Sequence, residues 1–170
     1  MAEKLFLASS LEPLHKGDQF KDWPLHVTVV PWFQVNLYRA FENALGNKIH
    51  SLSPVQITGS SEIVPLRTVG GDEALFGPEE DVRVRKLRDI GALASLHDTL
   101  LSMIERFDGQ LEDTTYTGTH YVPHVTFLED GRGIEEGERV ELPGMQLISK
   151  GPESVKTVER VFTFRGARRG

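Results

Sequence analysis

Apolar residues recur along the chain with two different periods, and the switches between them outline the elements. KLFLASSL (Lys4–Leu11) reads as a first strand. A polar, turn-rich stretch, EPLHKGDQFKDWP, separates it from a second apolar run, HVTVVPWF, where Pro31 is expected to interrupt the strand. Asn36 is a candidate N-cap for a short helix with Leu37, Phe41, Ala44 and Leu45 on one side and Gly46 as its stop. From Val55 to Phe76, the segments VQITG, EIVPL and EALFG read as short strands separated by turns, with Gly70–Asp72 as a hairpin tip. VRVRKL alternates, which puts Val82 and Val84 on one face and Arg83 and Arg85 on the other. Helical spacing returns over Ala92–Phe107, where Leu93, Leu96, Leu100, Met103, Ile104 and Phe107 form a stripe and Gly109 lies just beyond. A polar loop, the strand YVPHVTFLE and an acidic Gly-rich turn follow, then two closing strands around RVELPGMQLIS and VERVFTFRG.

Several strands and two helices without regular βαβ alternation predict an α+β fold with antiparallel sheets. At 170 residues, with no linker or low-complexity segment, the chain is expected to form one domain over 1–170. Composition adds limits to this picture. The 39% hydrophobic and 26% charged content is that of an ordinary globular protein. No apolar run approaches a membrane span, and the early run LFLA is too short for a secretory signal, so a cytoplasmic location is the default expectation. A chain without cysteine has no thiolate chemistry and no disulfide. With a net charge of −6 the chain does not advertise the broad basic face that a long duplex requires. Its basic clusters, VRVRKLR and the Arg165, Arg168, Arg169 tail, read as a solvated face and a frayed end.

Candidate chemistry comes from a repeated word. HVTVV begins at His26 and HVTFL at His124, in a chain with six histidines. Residues i and i+2 of a strand share a face. Val27 and Val29 therefore lie opposite His26 and Thr28, and Val125 and Phe127 lie opposite His124 and Thr126. One such pair is usually an ordinary polar face. Two, with the same middle residue and the same amphipathic sense, point to a shared site. Two imidazoles can divide acid and base roles near neutrality. Two hydroxyls can hold the non-bridging oxygens of a phosphate. No metal and no cofactor is required by this set. His120 and His124 are four apart, but Pro123 argues against a helix, and an extended chain would separate them by about 13 Å.

The words HVTV and YVPHVTF resemble the paired H-x-[TS]-x signatures of the 2H phosphoesterase superfamily, which includes the 2′-5′ RNA ligases and cyclic nucleotide phosphodiesterases. The separation of the two histidines (124 − 26 = 98) and the proline before the second also match that pattern. The resemblance implies a bilobal fold: two antiparallel β-sheets form a central cleft, with helices packed outside and one histidine strand from each lobe. It maps the catalytic histidines onto His26 and His124 and the phosphate-binding hydroxyls onto Thr28 and Thr126. It further implies that the first histidine is the acid for the leaving oxygen and the second the base.

Tyr121, just before the second motif, and Trp32, just after the first, are candidates for stacking on a nucleobase, and Arg165 on the last strand is a candidate phosphate contact. His15 and Lys16 sit in the loop before the first motif, where solvation is the plainer reading, and His50 and His97 read as surface or helix-face residues. The leading expectation is a metal-independent phosphodiesterase for a cyclic or 2′-5′-linked phosphodiester of a small nucleotide or RNA end. The alternatives are a non-catalytic nucleotide- or RNA-binding module of the same fold and a hydrolase of cyclic oligonucleotide signals. A small nucleotide is the expected partner, with neither a long duplex nor a membrane. Oligomeric state is not legible, and a monomer is the default.

Overall fold

The computed structural model describes residues 3–66, 82–114 and 116–167. Among these, ten strands form one antiparallel sheet, nine of them on one continuous path. The first lobe holds β1 (Leu5–Ser10), the two-residue β2 (Gln19–Phe20), β3 (His26–Gln34), β9 (Gly144–Lys150) and β10 (Lys156–Thr163). The second holds β4 (Val55–Leu66), β5 (Val82–Arg88), β7 (His124–Thr126) and β8 (Arg139–Leu142). The strand order is β2-β10-β9-β1-β3-β7-β5-β4-β8, and the short β6 (Gln110–Leu111) pairs with β3. The two sheets expected for a bilobal fold thus join edge to edge into one curled sheet, and the seam is the pairing of β3 with β7 at Val27↔Val125.

Two helices cover one face. In α1 (Tyr38–Ser51), Phe41, Leu45 and Ile49 are buried at a spacing of four. In α2 (Gly91–Arg106), Leu93, Leu96, Leu100, Met103 and Ile104 form the inner stripe. Both stripes meet Val27, Val29 and Val125 from the sheet, as well as Ile57, Ile134 and Leu142 of the second lobe, in one continuous core. A smaller aromatic cluster lies on the opposite face of the first lobe, with Phe6, Ala8, Trp32, Ile148 and Val158 at its centre and Phe20 and Trp23 packed against it.

Several local expectations change. Helix α1 runs through Gly46 to Ser51, and its cap position is Leu37, without the Asn36 side chain. Burial of Ile49 one turn further on outweighs the roughly 1 kcal/mol preference against an interior glycine. Pro31 does not end β3. Val30 pairs with Leu7 and Phe33 with Leu5, so Pro31 and Trp32 together oppose Phe6 in a bulge, where the missing N–H breaks no ladder bond. VQITG and EIVPL form one strand, β4, with a register shift between Gly59 and Ile63. EALFG, the Gly70–Asp72 hairpin tip, and Arg168 and Arg169 lie outside the described residues. RVELPGMQLIS divides at Pro143 into β8, the far edge of the second lobe, and β9 in the first. Arg85 is not on a solvated face. It is buried, with Nε donating to Ile134 O at 2.7 Å and Nη1 to Ser60 O at 2.7 Å. Among the described residues, no helix is long and apolar enough to cross a membrane.

Candidate active site

The seam between the lobes sets the geometry of the two HVT words. In an antiparallel pair with Val27 opposite Val125, residue 26 faces 126 and residue 28 faces 124. Each histidine is therefore a cross-strand neighbour of the other word's threonine. Directly opposed Cβ atoms sit about 4.5–5.5 Å apart and diagonal ones about 7–8 Å, so the four side chains occupy the corners of a small square with the imidazoles on one diagonal. Val27 and Val125 are fully buried on the helix side, while His26, Thr28, His124 and Thr126 are each part-exposed on the other. Because β3 and β7 are adjacent, the two couples converge without any long loop.

Both imidazoles are held the same way. His26 Nδ1 lies 2.8 Å from Pro24 O, and His124 Nδ1 lies 2.7 Å from Val122 O, in each case the carbonyl two residues upstream. A carbonyl only accepts, so each Nδ1 carries the proton and each Nε2 is left as the proton-exchanging atom. Burial pushes His26 down to about 4; its bond to Pro24 opposes this, while nearby His124 and Lys156 lower it further. Burial likewise holds His124 below the ordinary histidine range, against its bond to Val122. Both rings are therefore neutral at pH 7 in the empty site.

The first histidine is set in an aromatic mount. Trp23 stacks on His26 with centroids 4.5 Å apart and planes at 29°, and Phe6 meets it edge-on at 6.2 Å. Lys156, fully buried, lies over Trp23 at 5.4 Å and donates to Lys21 O at 2.6 Å. The segment 21–24 is thus pinned at one end by Lys156 and at the other by His26. On the second lobe, Lys86 is paired with His124 in the β5–β7 register, and its ammonium lies 3.3 Å from Glu62.

The other residues singled out in the sequence fall elsewhere. Tyr121 is half-buried, with its ring stacked on His97 at 4.0 Å and 9° and its hydroxyl donating to Thr28 O at 2.7 Å. One ring face is thus occupied, and the hydroxyl braces a site strand. Trp32 lies on the site face but is buried against Phe6 at 4.9 Å, with Lys150 over its ring at 5.3 Å. Arg165 is exposed past the end of β10, where its N–H donates to Leu52 O beside the end of α1, on the helix side. His97 is not a surface residue. It is fully buried, with Nδ1–H donating to Val29 O at 2.6 Å and Nε2 accepting from Gly118 N–H at 2.9 Å. Sequence reasoning passed over Trp23 and Lys156. The first stands three residues before His26 in a visible DWP turn. The second is a lysine at an inward position of β10, which only the paired strands reveal.

A cavity of about 870 Å3 opens beside the square, with His26, Thr126, Phe20, Trp23 and Phe127 among its walls. Among the described residues, no group of three or more histidine, aspartate or glutamate side chains is placed to hold a metal.

No family model matches the chain, and no curated protein sequence does. Solved structures do match in fold. TT0787 of Thermus thermophilus is 17% identical with a TM-score of 0.57, the match covering 97% of this chain and 100% of that one. A crystal structure of a phosphoesterase is 14% identical with a TM-score of 0.62, covering 97% and 99%. E. coli LigT complexed with 3′-AMP is 14% identical with a TM-score of 0.60, again covering 97% and 99%. Over nearly its whole length, the chain has the LigT-like 2H phosphoesterase fold that its paired HVT words resemble.

Proposed function

We propose that the protein is a metal-independent phosphodiesterase acting on a cyclic or 2′-5′-linked phosphodiester of a small nucleotide or RNA end. The observation that carries this reading is the crossed register of the two HVT words, which sets two histidines and two threonines on one face, with each Nδ1 on a main-chain carbonyl and each Nε2 left to exchange a proton. LigT, which shares the fold, was solved with 3′-AMP, and that fits a nucleotide as the occupant.

In the proposed reaction Thr28 and Thr126 donate to the non-bridging oxygens. One imidazole takes a proton from water as the water oxygen bonds to phosphorus. The P–O bond on the opposite side breaks, and the other imidazole gives its proton to the leaving sugar oxygen. One water is added, and the two rings exchange protonation states, which solvent resets. The mapping by resemblance makes His26 the acid and His124 the base. Since burial keeps both rings neutral in the empty site, the incoming phosphate anion is what favours a proton on one of them.

Turnover of 2′,3′-cyclic nucleotides and 2′-5′ oligoadenylates in excess EDTA tests this directly. Activity should survive chelation and fall by about 10²–10⁴-fold in His26→Ala and in His124→Ala. Loss of turnover on chelation, or its retention in either variant, would refute the mechanism.

A further inference from the structure

The cavity is not centred on the square. Of the four motif residues it touches His26 and Thr126, the pair at one end, and extends from there between the loop after β1 and the loop after β7. The square is nearly two-fold symmetric, but its surroundings are not. At about 870 Å3 the cavity stands near the top of the roughly 300–1,000 Å3 range of pockets that enclose a whole drug-sized ligand. The nucleoside part of the substrate therefore extends to the His26 side of the phosphate.

The charge of the walls then limits what that part is. Five carboxylates line the cavity: Glu12, Asp18, Asp22, Glu129 and Asp130. Three cations do, Lys21, Arg83 and Arg132, so the described lining carries 3 − 5 = −2. Arg132 is moreover held by two of those acids, with Nη1 3.0 Å from Glu12 and Nε 2.9 Å from Asp130. The aromatic residues Phe20, Trp23 and Phe127 also belong to the lining. Such a chamber suits a flat ring bearing N–H donors and repels a phosphate chain. A nucleoside's amino groups have carboxylates to meet, whereas a second phosphate has an acidic wall.

Resting on the proposed phosphodiesterase reading, the geometry points to a substrate with a single phosphate: a nucleoside 2′,3′-cyclic monophosphate with a free 5′-hydroxyl, its base in the acidic cavity beside His26, selected against 5′-phosphorylated counterparts. The selectivity is a charge effect over several ångströms and is therefore salt-dependent.

Calorimetric binding of adenosine 3′-monophosphate and adenosine 3′,5′-bisphosphate to the full chain tests it, alongside hydrolysis of adenosine 2′,3′-cyclic phosphate with and without a 5′-phosphate. The monophosphate should bind about tenfold more tightly at low ionic strength, with the gap shrinking to about threefold near 0.15 M salt. Asp22→Asn/Glu129→Gln, at two exposed positions, should close most of that gap. Equal or tighter binding of the bisphosphate, or a gap indifferent to salt and to the double variant, overturns the inference. If the monophosphate is preferred but neither cyclic ester is cleaved, the cavity reading stands and the phosphodiesterase reading falls. If both esters are cleaved equally well, the reverse holds. Binding of neither nucleotide overturns both.

Discussion

His26, His97 and His124 each direct an Nδ1–H to a main-chain carbonyl, and each is kept below the ordinary histidine range chiefly by burial. His97 shows most plainly why. Its Nε2 accepts from the Gly118 N–H, so a proton there would set donor against donor inside the protein. The consequence for stability follows from linkage. Below about pH 6.5 the unfolded chain protonates all three rings while the folded chain resists, so the unfolded state binds more protons and stability falls as pH falls. For His26 the loss continues down to about pH 4. Thermal unfolding at pH 5.5, followed by calorimetry in buffers of different ionisation heat, should therefore show net proton uptake and a lower Tm than at pH 7. Unfolding without uptake would contradict the burial of these rings. The alternation of valine against His-Thr was enough to place the four motif residues on one face. It was silent on Trp23, Lys156 and His97, because no one-dimensional period reports a stack between a loop and a strand or a bridge from α2 to β3.

At the scale of elements, glycine separates what propensity settles from what packing settles. Gly46 read as a helix stop, yet it lies inside α1, where an added Cβ would stand 3.4 Å from the Phe162 ring, an ordinary contact. Gly46→Ala should stabilise the protein by about 0.5–1 kcal/mol, visible as a higher denaturant midpoint with an unchanged slope. Gly59 and Gly144 should behave in the opposite way. A Cβ at Gly59 would collide with Glu135 O, and one at Gly144 with Phe162 O, so alanine must displace the loop before β8 in the first case and push β9 from β10 in the second. Gly59→Ala should lower the same midpoint, and a neutral result would mean that the loop carrying Glu135 yields freely. The long stripes of α1 and α2 and the runs of β1, β3 and β10 were legible because an amphipathic period extends over several turns or residues. β2 and β6, two residues each, carry no period at all. The switch at Pro143, which sends β8 and β9 to different lobes, depends on partners 80 and more residues away in the sequence.

For the molecule as a whole, the question is whether a seam of one residue pair makes two units or one. Judged by strand pairing alone, the lobes are separable, since β3 and β7 meet only at Val27↔Val125. The core says otherwise. Leu5, Val29, Phe41 and Leu100 share one continuous cluster with Val55, Ile57, Leu87 and Leu142, so the apolar face of either lobe alone would lie open to water. Tyr121 adds a tie, reaching from the segment before β7 to Thr28 O on β3. The ion pair of Glu12 with Arg132 also spans the lobes, but it is solvent-exposed, and such pairs contribute little to stability. Hydrophobic burial therefore decides, and both lobes should melt together: one calorimetric transition whose measured enthalpy equals the van't Hoff value. Val125→Ala, at the fully buried seam, should lower the Tm of that transition without splitting it. Two resolved transitions in either protein would show that the lobes have independent cores. The square of His26, Thr28, His124 and Thr126 would then depend on docking between units, since its two strands belong to different lobes.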